Sequence, residues 1–242
     1  MSLRVGKIRF ENGKRIMPSY EGYTPIIVMT SNSGFDVLSP YRIKDKKNRI
    51  MENIWQFAKV YETVPKTTQT YSRWDDRIIW NHPEETHIKN GKITKKYIKW
   101  RIKGMTASEA IRYPVGFKHR HKCLYALKHV DGEKLDYVQS RKKIYLPVYC
   151  KLVKKHPKFK TLQTRLQNGE NLLILEVDGP HQESMPYYKK KYNVKNKFIE
   201  NHTIAINKDS MNIMLNDEMH PFGHGYCLAM ALMEKDKSWN KN

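Results

Sequence analysis

Two hydrophobic periods alternate along this chain, and together they limit what it can build. Near the start, the runs KIRF and TPIIVMT are short and β-branched, bounded by the turn formers ENGK and SNSG, which is the pattern of strands. In MENIWQFAKVY, from Met51 to Tyr61, the period changes: Ile54, Phe57, Ala58 and Tyr61 recur at helical spacing. A Lys-rich turn near Asp45 and Asn48 precedes that helix. Residues 65–104 are charged and aromatic, and IKNGKITKKYIKWRI predicts a hairpin around Asn90-Gly91 followed by alternating side chains. TASEAIRY predicts a helix start with Thr106 and Glu109 as a capping box. From Ser140 to Leu166 the pattern is helical, broken near Pro147 and Pro157. NLLILEVDGP reads as a short buried strand or a turn of helix, and SMPYYKKKYNV as a basic, Tyr-rich connector. A polar loop bearing Gly223 and Gly225 leads into an apolar helix from about Tyr226. There is no internal repeat and no evident linker, so one domain over 1–242 with an inserted basic hairpin in 65–104 is the simplest organisation.

The chain has enough apolar material, 39% of residues, to pack a core. Its 45 Lys and Arg against 24 Asp and Glu leave a net charge of +21. Such an excess attracts polyanions and makes that binding salt-dependent. A compositional bias toward Lys, Asn and Ile would produce the same charge without such a partner. The three cysteines, Cys123, Cys150 and Cys227, are far apart with no paired spacing, which argues against a disulfide framework or a zinc ribbon. With no apolar run of membrane-spanning length, the expectation is a protein without membrane contact in a reducing compartment, the cytoplasm, or that of a host cell if a phage or virus encodes it.

Four groups of residues carry chemistry. Glu52, Gln56 and Lys59 stand at i, i+4 and i+7, with Trp55 beside them. They form either a wet outer face or a pocket wall on which Glu52 acts as general base and Lys59 as nucleophile or electrostatic partner. Gly223 and Gly225 precede a helix whose N-terminus could meet a phosphate, or they form a plain turn. His119, His121 and Cys123 alternate in a basic segment that suits phosphate contact better than metal, and His220 and His224 lack a metalloprotease pattern. Glu176, Asp178 and Asp217 supply carboxylates, two of which across a sugar would suit an oxocarbenium-like transition state. Acyl-transfer chemistry has no motif in its favour.

At these residues the chain resembles the NADAR, or YbiA-like, N-glycosidases. An aromatic-containing extended segment, GFDVLSPYRI, leads to the helix bearing Glu52, Gln56 and Lys59. TASEAIRYPVG and SRKKIYLPVYCKLVKKHPKF come next, with Tyr145 aligned where relatives carry a Trp. LNDEMHPFGHGYCLAMALMEK closes the series. The resemblance implies a single, mostly helical α+β YbiA-like domain with short N-terminal strands and an inserted basic β-hairpin. It implies hydrolysis of a base–ribose bond at C1, and the positive charge points to a substrate on nucleic acid such as ADP-ribosylated guanine or another modified base in DNA. The alternatives are a small riboflavin-pathway nucleotide, or a non-catalytic nucleic-acid-binding protein that kept the fold. Carried over, Glu52 is the acid/base, Lys59 the amine that attacks C1, and Asp217 the group that holds ribose or positions water. Gln56, Trp55, Phe35, Asp178, Gly223 and Gly225 would contact substrate, and Lys118, Arg120, Lys122, Lys189 and Lys190 would grip phosphates. No metal or cofactor is implied.

Overall fold

Where β-branched residues cluster near the start, the chain does form strands. The computed structural model describes residues 2–29, 34–64, 82–111 and 121–233. Over these it is an α+β protein in which helix outweighs strand. Its contacts gather into two compact units, Met1–Ser39 with Tyr149–Asn242, and Pro40–Val148. Among the described residues no helix is long and apolar enough to cross a membrane.

The first unit opens with β1 (Leu3–Lys7), then β2 (Arg9–Glu11) and β3 (Lys14–Ile16), a hairpin turned through Asn12-Gly13, and then β4 (Thr24–Ile27).

The second unit begins its regular structure at α1 (Met51–Gln56). No side chain caps α1. Carbonyls serve instead, with Met51 N–H donating to Ile43 O at 3.0 Å and Glu52 N–H to Pro40 O at 2.9 Å. The expected helix to Tyr61 stops early. Lys59 lies outside it, in β5 (Lys59–Val60), which pairs with a strand more than sixty residues on. Then come β6 (Thr63–Val64), β7 (Glu85–Thr86), β8 (Ile88–Lys89) and β9 (Lys92–Ile93). The hairpin around Asn90-Gly91 is as expected, both residues at positive φ. Beyond it the chain forms no alternating strand but a helix, α2 (Lys95–Met105), whose cap Thr94 accepts from Tyr97 N–H at 3.1 Å. Thr106 ends this helix rather than starting another, its hydroxyl donating back to Ile102 O. The expected capping box with Glu109 does not form; buried Asn53 instead takes up the backbone of the segment. Asn53 Nδ2 donates to Glu109 O at 2.8 Å, and its Oδ1 accepts from Ile111 N–H at 2.7 Å. β10 (Tyr125–Ala126) is the partner of β5, and α3 (Tyr137–Ser140) starts on an Asp136–Gln139 capping box. Phe57, Ala58, Val60, Tyr61, Tyr97 and Trp100 lie at the centre of this unit's core.

A π-helical turn, Arg141–Tyr145, joins α3 to α4 (Leu146–Val153). The expected break at Pro147 is absent, since the widened turn accommodates a residue with no N–H to donate. The break at Pro157 is real: Pro157 opens α5 (Pro157–Gln167) with His156 as cap. β11 (Leu172–Glu176) is the buried strand, and the connector at 185 is instead a helix, α6 (Met185–Tyr192), with Pro186 in its first turn and Asn193 left-handed beyond its end. After β12 (Thr203–Ala205), an Asn207–Ser210 capping box starts α7 (Lys208–Asn216), so the expected polar loop is helical at its start, up to Asn216. The last element is α8 (His224–Leu232). The sheet order is β12-β1-β11-β4, with β1, β11 and β4 parallel and β12 antiparallel. β11 is buried along its whole length: Leu173 and Leu175 pack with Ile8, while Ile174 and Glu176 lie against the start of α8.

Candidate active site

The polar row foreseen at Glu52 is joined end to end, buried at Glu52 and Gln56 and half-buried at Lys59. Gln56 Nε2 donates to Glu52 Oε1 at 2.7 Å, and Lys59 Nζ donates to Gln56 Oε1 at 2.7 Å. Glu52 is 5% exposed and Gln56 7%, which decides against a wet outer face. One carboxamide thus takes a proton donor from the amine and gives one to the acid, so the three groups hold one another in place. The ammonium of Lys59 lies over the Trp55 ring, 4.9 Å from its centroid, and Tyr145 packs on the same indole at 5.0 Å. Sequence spacing found this row, although its third member reaches it from a strand. Cys123 is a neighbour that spacing did not suggest. Burial pushes its thiol up, the charge of Lys59 acting in the opposite direction.

The remaining candidates divide between the units, and each is described within its own. In the first unit, Glu176 is fully buried at the end of β11. Its Oε1 accepts from Val177 N–H at 2.8 Å, and its Oε2 accepts from Gly225 N–H at 2.6 Å. The anion that meets the start of α8 is therefore the protein's own carboxylate. A Cβ on Gly223 would run into that carboxyl and into Asp178, which accounts for the glycine without a phosphate. Asp178 is half-buried, its N–H donating to Glu176 Oε1 at 3.2 Å. Phe35 is half-buried under the ammonium of Lys158.

Asp217, at the end of α7, is wholly buried. Tyr187 Oη donates to its Oδ1 at 2.8 Å, as does Met219 N–H at 3.0 Å, while Tyr188 Oη and His220 Nδ1 reach its Oδ2, the latter at 2.6 Å. Burial opposes its charge, but the hydrogen bonds from His220, Tyr188, Met219 N–H and Tyr187 outweigh it and hold the carboxyl down at about 2. Burial first, and the Asp217 carboxylate second, push both phenols well up. No sequence motif marked Tyr187 or Tyr188. They come to Asp217 only because the expected connector is a helix.

Lys189 and Lys190 are exposed on α6, and Lys122 is exposed in the other unit. Lys118, Arg120 and His119 lie outside the described residues. His181, Glu183 and His202 bring ligand atoms within 4.8 Å of one another, a group among the described residues with the types a metal takes. Its fit is poor at His202, whose Nδ1 accepts from Gln182 N–H at 3.2 Å, leaving the proton on Nε2. No protein-family model, curated protein or solved structure matches this chain.

Proposed function

We propose that this protein is an N-glycosidase that hydrolyses a base–ribose bond at C1, with ADP-ribosylated guanine or another modified nucleotide as substrate. The observation that carries the reading is the hydrogen-bonded Glu52–Gln56–Lys59 row, buried at its acid and amide, with Trp55 under its half-buried amine. A buried carboxylate and a half-buried amine coupled through one amide suit a reaction that protonates a leaving base and captures C1. In this reading Lys59 Nζ attacks C1, the C1–N bond breaks, and the base leaves with a proton delivered through Glu52. The ribose ring then opens, the C1–O4′ bond breaking as O4′ takes the proton from Nζ to leave a C1=Nζ imine. Water activated by Glu52 hydrolyses that imine to free the sugar and the amine. Gln56 keeps acid and amine in register, and Trp55 offers a flat face to the substrate. These residues all belong to the Pro40–Val148 unit, so the proposal needs no group from the other unit.

Mass spectrometry of products after incubation with ADP-ribosylated oligonucleotides, and separately with riboflavin-pathway nucleotides, tests it. Wild type releases base from one of the two. Glu52→Gln and Lys59→Met lose that release by about a hundredfold or more. Borohydride added during turnover fixes a sugar-derived mass on Lys59. Base release from neither substrate abandons the enzyme reading and leaves a nucleic-acid-binding protein, and release unchanged in both variants removes the Glu52 row as its site.

A further inference from the structure

We propose that Ser184, His220 and Asp217 form a nucleophile–base–acid triad that hydrolyses small carboxylic esters. Ser184 closes the 3-10 turn Gln182–Ser184 and stands immediately before α6. Its Oγ lies 3.1 Å from His220 Nε2, and His220 Nδ1 lies 2.6 Å from Asp217 Oδ2. The bond to the carboxylate places the imidazole proton on Nδ1 and leaves the Nε2 lone pair facing the serine hydroxyl, which is the tautomer a general base needs. The imidazole is held from both sides. It stacks on Tyr188 at 5.3 Å and 22°, and meets Tyr187 edge-on at 5.4 Å. The Asp217 side chain is 0% exposed, while His220 and Ser184 are both half-buried. The acid is thus sheltered, while the base and the nucleophile are each partly reached by solvent.

The step is ordinary acyl transfer. Ser184 Oγ bonds to the acyl carbon and its proton passes to Nε2. The bond from acyl carbon to the leaving oxygen breaks, and that oxygen takes the proton from Nε2. Water then attacks the acyl carbon, its proton passing through Nε2 back to Ser184 as the acid departs. Pro186, in the first turn of α6, has no N–H to offer a developing oxyanion, so the favoured substrates are esters with good leaving groups. Asp217 acts through His220 as a positioning residue. The proposal is independent of the glycosidase reading, sharing no residue with the Glu52 row.

The test uses the full-length protein with a fluorophosphonate probe and with p-nitrophenyl acetate, chelator present throughout. Intact and peptide mass spectrometry finds one adduct, on Ser184, with loss of fluoride. Ser184→Ala abolishes labelling and lowers ester hydrolysis at least tenfold, while its circular dichroism stays that of wild type. Asp217→Asn lowers kcat for the ester and leaves KM unchanged, a split that general loosening of the fold does not give. Glu52→Gln labels like wild type, which separates this site from the other. An adduct on a different residue, or hydrolysis equal in wild type and Ser184→Ala, overturns the proposal.

Discussion

At the scale of single residues, two titratable groups are held far from their ordinary states in opposite surroundings. His87 is fully buried, with Trp100 at 4.5 Å, Tyr97 at 4.8 Å and Tyr61 at 5.9 Å from its ring. Its Nδ1 accepts from Tyr61 N–H at 3.2 Å. Burial first, and the charge of His82 second, lower it from 6.5 to about 4. Between those values the unfolded chain binds the proton and the folded chain does not, so stability falls as pH drops through that window, by up to about 3 kcal/mol. Asp217 acts in a lower window. Its carboxyl is ionised above 3.8 in the unfolded chain and above about 2 in the folded one, so it contributes about 2 kcal/mol that is lost only as pH falls between them. Urea unfolding midpoints measured from pH 7 down to pH 4 should therefore decline in wild type. His87→Asn keeps an acceptor near Tyr61 N–H but cannot titrate, and it should flatten that decline. A parallel decline in the variant would show that the buried imidazole is not its source.

At the scale of elements, α1 and α2 meet where one residue has no side chain. A Cβ on Gly104 of α2 would enter the ring of Phe57, which is 0% exposed and pinned against Trp100 at 4.5 Å. Gly104→Ala gains up to about 1 kcal/mol of helix propensity but forces a ring that has nowhere to go. The expected outcome is a net destabilisation of about 1–3 kcal/mol, read as a lower urea midpoint at unchanged slope. A stabilised variant would mean that the two helices separate easily. The elements also show what a sequence exposes and what it hides. The helical spacing of Glu52 and Gln56 and the Asn-Gly hairpin were legible because both are local. The end of α1 was not, because Lys59–Val60 satisfies its backbone against Tyr125–Ala126, a partner that no nearby residue announces. α6 was hidden for a different reason. Only Met185 and Tyr188 of its eight residues are buried, too few to draw a stripe through MPYYKKKY. With α6 read as a connector, Ser184 and His220, thirty-six positions apart, had no reason to meet.

At the scale of the whole molecule, a net charge of +21 must be reconciled with a site whose own groups balance. The Glu52–Lys59 row is one acid and one base joined by an amide, so in the proposed reading the excess charge would act on association rather than on the chemistry there. Part of that excess stands exposed on α6 as Lys189, Lys190 and Lys191, where binding a phosphate releases counterions. Affinity and turnover should then separate cleanly. Fluorescence anisotropy with a random single-stranded oligonucleotide should show affinity falling at least tenfold between about 50 and 200 mM salt, as about three or more neutralised phosphates require. Glu52→Gln should give the same curve, because a carboxylate 5% exposed adds little repulsion at the surface. Replacing Lys189, Lys190 and Lys191 with Ser should flatten the curve and weaken binding while leaving intact the base release from a free nucleotide. Weak, salt-insensitive binding by wild type would make the charge a feature of composition alone, and would move the substrate from nucleic acid to a small nucleotide.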